Sequence, residues 1–215
     1  PTKALLKSAQ VYEYAKHAAT YGINVENPTP NFGGVITRSR GVADKMSKGI
    51  QFLMKKNKID VIMGTGKLIA ATKMEVTAAD GTKQIVEAKN IIIATGGRAR
   101  ALPTMPIDGK KIVGYREAMV LPEQPRSMIV CGSGAIGSEF AYFYNSMGTK
   151  VTMVEFMPRL VPVEDEDISK ELEKNFKKQG MTIMTSSEIG LPCWAGAACA
   201  AAGEMIKSSN DIVRS

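Results

Sequence analysis

The chain contains 215 residues, of which 44% are hydrophobic, and it carries a formal net charge of +7. This length suits one or two domains, and the hydrophobic content is enough for a packed core. No stretch approaches the roughly 18 consecutive apolar residues of a membrane-spanning helix, and three cysteines do not make a disulfide framework. The lysines are scattered or occur in short pairs with little aromatic interleaving. We therefore expect solvated surfaces rather than a nucleic-acid-binding face.

Two helices are predicted at the start of the chain. Apolar residues at helical spacing predict a helix over 2–20 and a second over 35–56, with a proline-containing loop between them. In each helix one apolar stripe is expected to pack, while the charged face stays in water.

A β-rich stretch follows. Strands are expected over 59–63, 67–77 and 84–88, and the dipeptide Asp80-Gly81 predicts a hairpin between the last two. The apolar run over 91–94 predicts a buried strand that ends in a glycine turn. Four prolines within 98–125 then indicate a connection between domains rather than a regular element.

The most informative pattern lies between residues 128 and 155. An apolar strand is followed by a glycine-rich turn, a helix that stops at Gly148, and a second strand that ends in the acidic residue Glu155. Glu155 stands 18 residues after the third glycine of the turn. This is the order of parts in a dinucleotide-binding unit, and the alternative is an ordinary strand–turn–helix. The turn consists of Gly132, Ser133, Gly134, Ala135, Ile136 and Gly137.

Each part of this unit has a physical reason. Gly132 allows a tight turn, Gly134 lets the backbone approach a pyrophosphate, and Gly137 lets the helix pack closely on the strand. Pyrophosphate charge is favoured at the N–H groups of the helix start. Glu155 is expected to accept hydrogen bonds from the ribose hydroxyls and to repel a 2′-phosphate, which favours NAD over NADP.

Beyond Glu155 the alternation of strands and helices continues for one more unit. A helix over 165–179 and a strand over 181–185 complete a β-α-β-α-β order, which predicts a parallel sheet. Residues 190–215 are rich in alanine and glycine and show no clear strand, so we interpret them as a divergent or non-native tail, with a short helix as the alternative.

Three motifs together resemble the flavin-dependent pyridine nucleotide–disulfide oxidoreductases. The start, Pro1-Thr2-Lys3-Ala4-Leu5-Leu6, is similar to the segment after the redox disulfide of the dihydrolipoamide dehydrogenase branch. Residues 91–97 resemble its flavin-contacting Ala-Thr-Gly strand, and residues 128–155 resemble its NAD unit, including Glu139. The match covers about residues 1–189 in family order.

This resemblance implies FAD and NAD as cofactors and an α/β fold. Part of an FAD-binding domain is expected over 1–120, and the first β-α-β-α-β part of a Rossmann-type NAD-binding domain over 121–189. Lys3 is expected near the flavin and paired with Glu139. The other implied flavin-contacting residues are Gly66, Thr95, Gly96 and Gly97.

The departures from the family pattern are equally informative. The redox cysteine pair, the first FAD-binding unit and the domain with the acid–base histidine are not in this sequence, so we interpret the chain as an internal fragment without catalytic residues. Cys193 and Cys199 have five residues between them rather than four. Cys131 is expected to be a small buried residue, and His17 to be structural or exposed. No metal site is predicted. The apolar run over 91–94 is expected to lose its neighbours and become exposed.

The family implies oxidation of dihydrolipoamide, presented on a carrier domain of a 2-oxo acid dehydrogenase complex, by a homodimer. The compartment would be the bacterial cytoplasm or the mitochondrial matrix, with no membrane association. Three alternatives stay open at this point. They are an NAD(H)-binding module without catalysis, another member of the disulfide oxidoreductase family, and a basic nucleic-acid-binding protein.

Overall fold

The computed structural model describes residues 1–99, 105–189 and 206–208. The chain forms two compact units. Unit 1 combines Pro1–Ala43 with Ala99–Ser215, and unit 2 consists of Asp44–Arg98. The sequence-based division follows the expected cofactor-binding domains, whereas these two units are defined by their internal contacts. The predicted boundaries, 1–120, 121–189 and 190–215, therefore stay a prediction.

Helix α1 spans Thr2–Lys16, and a 3₁₀ helix follows over Ala18–Tyr21. The helix predicted over 2–20 therefore breaks at His17, where φ is −109° and ψ is 20°. Gly22, with φ of 72°, turns the chain away in the left-handed region that glycine adopts readily. Helix α2 spans Phe32–Lys56 and begins earlier than predicted. No helix among the described residues is long and apolar enough to cross a membrane.

Unit 2 contains a three-stranded antiparallel sheet. Its strands are β1 (Thr65–Ala70), β2 (Lys73–Thr77) and β3 (Lys83–Glu87), in that spatial order. The predicted hairpin at Asp80-Gly81 is confirmed: the Thr82 N–H donates to Asp80 Oδ1 at 2.9 Å, and Gly81 has φ of 86°. The single strand predicted over 67–77 is wrong, because a turn between β1 and β2 divides it.

Two other predicted strands are absent from the structure. Residues 59–63 and 91–94 have no regular secondary structure. Ile92 is 89% exposed and Ile93 is 68% exposed, so the run is not the buried strand that its apolar character predicted. A strand needs a hydrogen-bonding neighbour as well as apolar side chains, and neither run is paired. The expected exposure of the run over 91–94 is confirmed.

The second part of unit 1 is a β-α-β-α-β arrangement with a parallel sheet. Strands β4 (Ser127–Cys131), β5 (Lys150–Val154) and β6 (Thr182–Met184) pair in parallel in that order. The crossovers are α4 (Ala135–Met147) and α5 (Glu166–Lys178). Gly148 with φ of 104° ends α4, and Gly180 with φ of 86° follows α5. The parallel sheet predicted from the sequence is confirmed. A short helix, α3 (Tyr115–Ala118), lies in the stretch predicted to be only a connection.

The end of the described chain differs from the prediction. Strand β7 (Ser187–Ile189) pairs antiparallel with β8 (Ile206–Ser208), so the tail contributes a strand where none was expected. The origin of the tail stays a prediction, and Cys193 and Cys199 lie outside the described residues. A short strand gives little sequence signal by itself, because its pairing partner lies far away in the chain.

The core of unit 1 lies between α1, α4 and the parallel sheet. Leu5 and Ala9 of α1 are fully buried and belong to the same cluster as Phe143 and Tyr144 of α4. The Tyr144 hydroxyl donates to the Ala118 carbonyl at 2.6 Å, which satisfies its polar group inside the core. Three buried methionines fill the cluster between helices and sheet: Met147, Met153 and Met181. The first helix of the chain is therefore held by the nucleotide-type unit.

We expect Leu5→Ala to destabilise unit 1 by about 2–5 kcal/mol, because it leaves a cavity between α1 and α4. Urea unfolding followed by circular dichroism measures the change. Val11→Ala on the same helix is the control, since Val11 is 54% exposed. Equal shifts for the two variants would contradict the packing described for α1.

Candidate dinucleotide-binding site

The glycine-rich turn lies where β4 ends and α4 begins. Gly132 has φ of 89°, a backbone region that side chains other than glycine rarely adopt. Its N–H donates to the Val154 carbonyl at 2.8 Å, so the ends of β4 and β5 are tied together. The turn thus sits at the carboxyl edge of the parallel sheet, where open α/β sheets bind their ligands.

Gly137 and Gly134 serve different purposes in this turn. A Cβ atom at Gly137 would lie 2.0 Å from the Gly132 carbonyl oxygen, which no side chain can tolerate. At Gly134 a Cβ atom would meet nothing within 4 Å. Gly137 therefore permits the packing of α4 on the turn, while Gly134 leaves open space on the solvent side. The close packing expected at Gly137 is present, and the approach of a pyrophosphate to Gly134 stays a prediction.

The start of α4 presents N–H groups to that open space. The first hydrogen bond of the helix runs from the Ser138 N–H to the Gly134 carbonyl at 2.9 Å. The N–H groups of Ala135, Ile136 and Gly137 consequently have no partner within the helix. Ala135 is exposed, and Ile136 is 60% exposed. Such a helix start favours an anionic ligand.

Glu155 is only 7% exposed at the end of β5, and its carboxylate is directed toward the turn. Its Oε2 accepts the Ser133 N–H and the Ser133 hydroxyl, both at 2.7 Å. Its Oε1 accepts the Met157 N–H at 2.9 Å. Burial opposes ionisation, but the hydrogen bonds from Met157 and Ser133 outweigh it and hold the pKa of Glu155 below its usual value. The residue is a buried carboxylate that remains ionised.

Ser133 links several parts of the site. It is fully buried, and its hydroxyl accepts the Val161 N–H at 3.0 Å. The Ser138 hydroxyl donates to the Ser133 carbonyl at 2.8 Å. Ser133 was predicted as part of the turn, but its contacts with Glu155 and Val161 were not predicted, because these residues are 22 and 28 positions from Ser133 in the sequence.

The predicted pairing of Lys3 with Glu139 is confirmed. The Lys3 ammonium donates to Glu139 Oε1, which joins the first turn of α1 to α4. The Lys3 side chain is 81% exposed. Exposed ion pairs contribute little stability, so the apolar contacts beneath this pair hold the two helices together. The pair places a positive charge beside α4 and contributes little to the stability of the fold.

The other implied flavin-contacting residues lie in unit 2. Gly66 is on β1, while Thr95, Gly96 and Gly97 lie in the irregular exposed segment after β3. A Cβ at Gly66 would approach only the flexible Met74 side chain, at 2.8 Å. Gly64 is more constrained, since its Cβ would lie 2.5 Å from the Thr77 carbonyl oxygen, and the sequence did not single it out. The flavin roles stay predictions.

The side chains of Cys131 and His17 make none of the hydrogen bonds described for the glycine turn. Cys131 is exposed at the end of β4, so the expectation that it is a small buried residue is wrong. It occupies the last position of the strand, where the chain leaves the sheet. The His17 side chain is 66% exposed, in agreement with a structural or surface role.

A parallel sheet with a glycine turn, an open helix start and a buried acid at the next strand end defines a dinucleotide-binding α/β protein. The pyridine nucleotide-disulphide oxidoreductase model matches residues 1–190, and the chain belongs to this family. The fold expected from the sequence is thereby confirmed.

Among its curated relatives are two dihydrolipoyl dehydrogenases. The protein of Chlorobaculum parvum is 45% identical over 190 residues, and that of Chlorobaculum tepidum is 46% identical over 189 residues. Each match covers 88% of this chain and 40% of the relative. The chain therefore spans about 40% of the length of these relatives.

Solved structures agree with this assignment. LpdA from Mycobacterium tuberculosis superposes with a TM-score of 0.79 at 29% identity, covering 88% of this chain and 42% of LpdA. The flavoprotein disulfide reductase RclA from Escherichia coli superposes with a TM-score of 0.73 at 26% identity, covering 88% and 40%. Both resemblances extend over most of the chain, so they support the family and its fold.

We expect Gly137→Ala to destabilise unit 1 by about 1–3 kcal/mol or more, because its Cβ collides with the backbone of Gly132. Gly134→Ala is the matched variant, and it is expected to leave the unfolding midpoint nearly unchanged. Thermal unfolding of both, followed by circular dichroism, makes the comparison. A stable Gly137→Ala variant would show that the close approach of α4 to the turn is wrong.

Proposed function

We propose that this chain is the part of a dihydrolipoyl dehydrogenase that binds NAD(H) and completes its flavin site. The observation that carries the proposal is the buried, ionised Glu155 beside an open glycine turn. The names of the relatives supply the reaction, and the geometry supports the nucleotide half of it.

The turn fits NAD in three respects. The N–H groups at the start of α4 would face the pyrophosphate, and the open side of Gly134 would admit it. Glu155 would accept hydrogen bonds from the adenosine ribose. Because its carboxylate is ionised, a 2′-phosphate at the same place would be repelled, which favours NAD over NADP.

The family resemblance supports roles in flavin binding for Lys3 of unit 1 and, separately, for Gly66, Thr95, Gly96 and Gly97 of unit 2. When bound, FAD would supply the chemistry of two-electron transfer between a dithiol and NAD⁺. The contribution of this chain would be a positive charge at Lys3, paired with Glu139, which would stabilise negative charge near it.

The complete reaction needs a redox cysteine pair and an acid–base histidine, neither of which these 215 residues supply. Cys193 and Cys199 are not spaced as such a pair. In the proposed enzyme the substrate is dihydrolipoamide on the carrier domain of a 2-oxo acid dehydrogenase complex. The enzyme would be a homodimer in the bacterial cytoplasm or the mitochondrial matrix.

A second candidate function is an NAD(H)-binding module without catalysis. It is favoured by the complete glycine turn, which indicates nucleotide binding without specifying a reaction. The coding sequence next to this segment separates the two functions. We expect codons for a Cys-x4-Cys motif immediately before Pro1 and a His-Pro-containing domain after the segment. A start codon directly before Pro1 together with a stop codon after Ser215 would instead support the binding module.

The nucleotide preference tests the NAD site directly. We expect the chain to bind NADH at least about tenfold more tightly than NADPH, because Glu155 repels the 2′-phosphate. Glu155→Ala should narrow this ratio toward one, because NADH loses the ribose hydrogen bonds and NADPH is no longer repelled. Titration of nucleotide fluorescence measures both affinities.

Glu26→Ala is the control for this titration, since Glu26 is an exposed residue outside the site. It should leave the ratio of the two affinities unchanged. Failure of the unaltered chain to bind NADH, or equal affinity for NADH and NADPH, would contradict the proposed site.

A further inference from the structure

The Ser133 hydroxyl does not take part in the proposed contacts with pyrophosphate, which are made by backbone N–H groups at the start of α4 and by the open side of Gly134. Yet this residue is fully buried, whereas the next three residues of the turn, Gly134, Ala135 and Ile136, are exposed. A buried hydroxyl is retained at a cost unless it is hydrogen-bonded, so its partners indicate its role.

Both partners of the hydroxyl are fixed by the fold. The Val161 N–H donates to Ser133 Oγ at 3.0 Å. Since that contact occupies the hydroxyl as an acceptor, its hydrogen is left to donate to Glu155 Oε2 at 2.7 Å. The Ser133 N–H donates to the same oxygen at 2.7 Å. One residue therefore supplies two donors to one carboxylate oxygen.

We propose that Ser133 is a positioning residue that fixes the Glu155 carboxylate, so that selection for an unmodified adenosine 2′-hydroxyl depends on the Ser133 hydroxyl. The inference rests on the proposed function and deepens it. A free glutamate side chain samples several rotamers, and ordering it during binding costs affinity. Here the fold orders the Glu155 side chain before binding. The glycine turn and the Val161 N–H fix the Ser133 hydroxyl, and this hydroxyl donates to the Glu155 carboxylate.

The charge state of Glu155 supports the same role. Burial raises the pKa of this carboxyl, whereas the Met157 and Ser133 donors lower it, and the donors prevail. Loss of the Ser133 hydroxyl removes one of these donors, so the pKa of Glu155 should rise. Above the pKa of both proteins the carboxylate stays ionised, and only its orientation changes.

The test compares ADP with 2′-deoxy-ADP as ligands of the full chain at pH 7.5, by calorimetric titration. The unaltered chain should prefer ADP by about tenfold, the effect of one hydrogen bond to a charged group. Ser133→Ala should reduce this preference to about threefold or less. Ser133→Cys, which keeps a weak donor, should give an intermediate ratio and serves if the alanine variant does not fold.

Ser138→Ala is the matched control. Its hydroxyl bonds the Ser133 carbonyl in the same turn, with no hydrogen bond to Glu155. The ratio of the ADP and 2′-deoxy-ADP affinities should stay that of the unaltered chain. A Ser133→Ala variant that weakens both nucleotides equally, and so keeps the ratio, would overturn the proposal, since that is a merely structural effect. A larger preference for ADP would also overturn it, because Ser133 would then compete with the ribose.

A second measurement separates this inference from the proposed function. If the unaltered chain binds no ADP, the proposed NAD site fails, and a carboxyl carbon NMR titration of the ligand-free chain decides the placement of Glu155. The Glu155 signal is identified by its loss in Glu155→Gln. In that case a raised pKa in Ser133→Ala supports the positioning role, and an unchanged pKa refutes it.

Discussion

The close approach of Gly137 to Gly132 is the constraint on which the rest of unit 1 depends. Only a residue without a Cβ can lie there, because that atom would be 2.0 Å from a backbone oxygen. The approach lets α4 start directly against the end of β4. From that position α4 places Phe143 and Tyr144 against α1 and directs its first N–H groups toward solvent. One backbone contact thus sets both the core and the open face of the site.

The carboxylates of Glu139 and Glu155 differ in burial, and this difference determines what each charge contributes. Glu139 is partly exposed and pairs with Lys3, so salt screens the attraction and the pair adds little stability. Glu155 is buried, and three neutral donors rather than a cation stabilise it. Its negative charge is therefore left available to discriminate among ligands. In the proposed enzyme the first carboxylate positions a lysine, and the second selects the nucleotide.

The sequence predicted the elements whose signals are local. The β4–α4–β5 unit and the hairpin at Asp80-Gly81 follow from glycine positions and short apolar runs, and both are confirmed. The run over 91–94 carries the same apolar signal but has no paired neighbour, so it is not a strand. The Ser133 contacts with Glu155 and Val161 were not predictable, because they join turns whose proximity only the fold creates. The Lys3–Glu139 pair, 136 residues apart, was predictable only through family resemblance.

Oxidation of the three buried methionines of the core would report local unfolding of unit 1. Met147, Met153 and Met181 are between 0% and 4% exposed, and a thioether must meet an oxidant before it becomes a sulfoxide. Peroxide therefore reaches Met153 only when the sheet parts from its helices, and the rate of its oxidation reports how often that happens. The sulfoxide is polar and no longer fits between helix and strand. Each time the helices separate from the sheet in an oxidising environment, oxidation makes it harder for the core to pack again. A nucleotide bound at the site would stabilise the folded unit and so slow the oxidation.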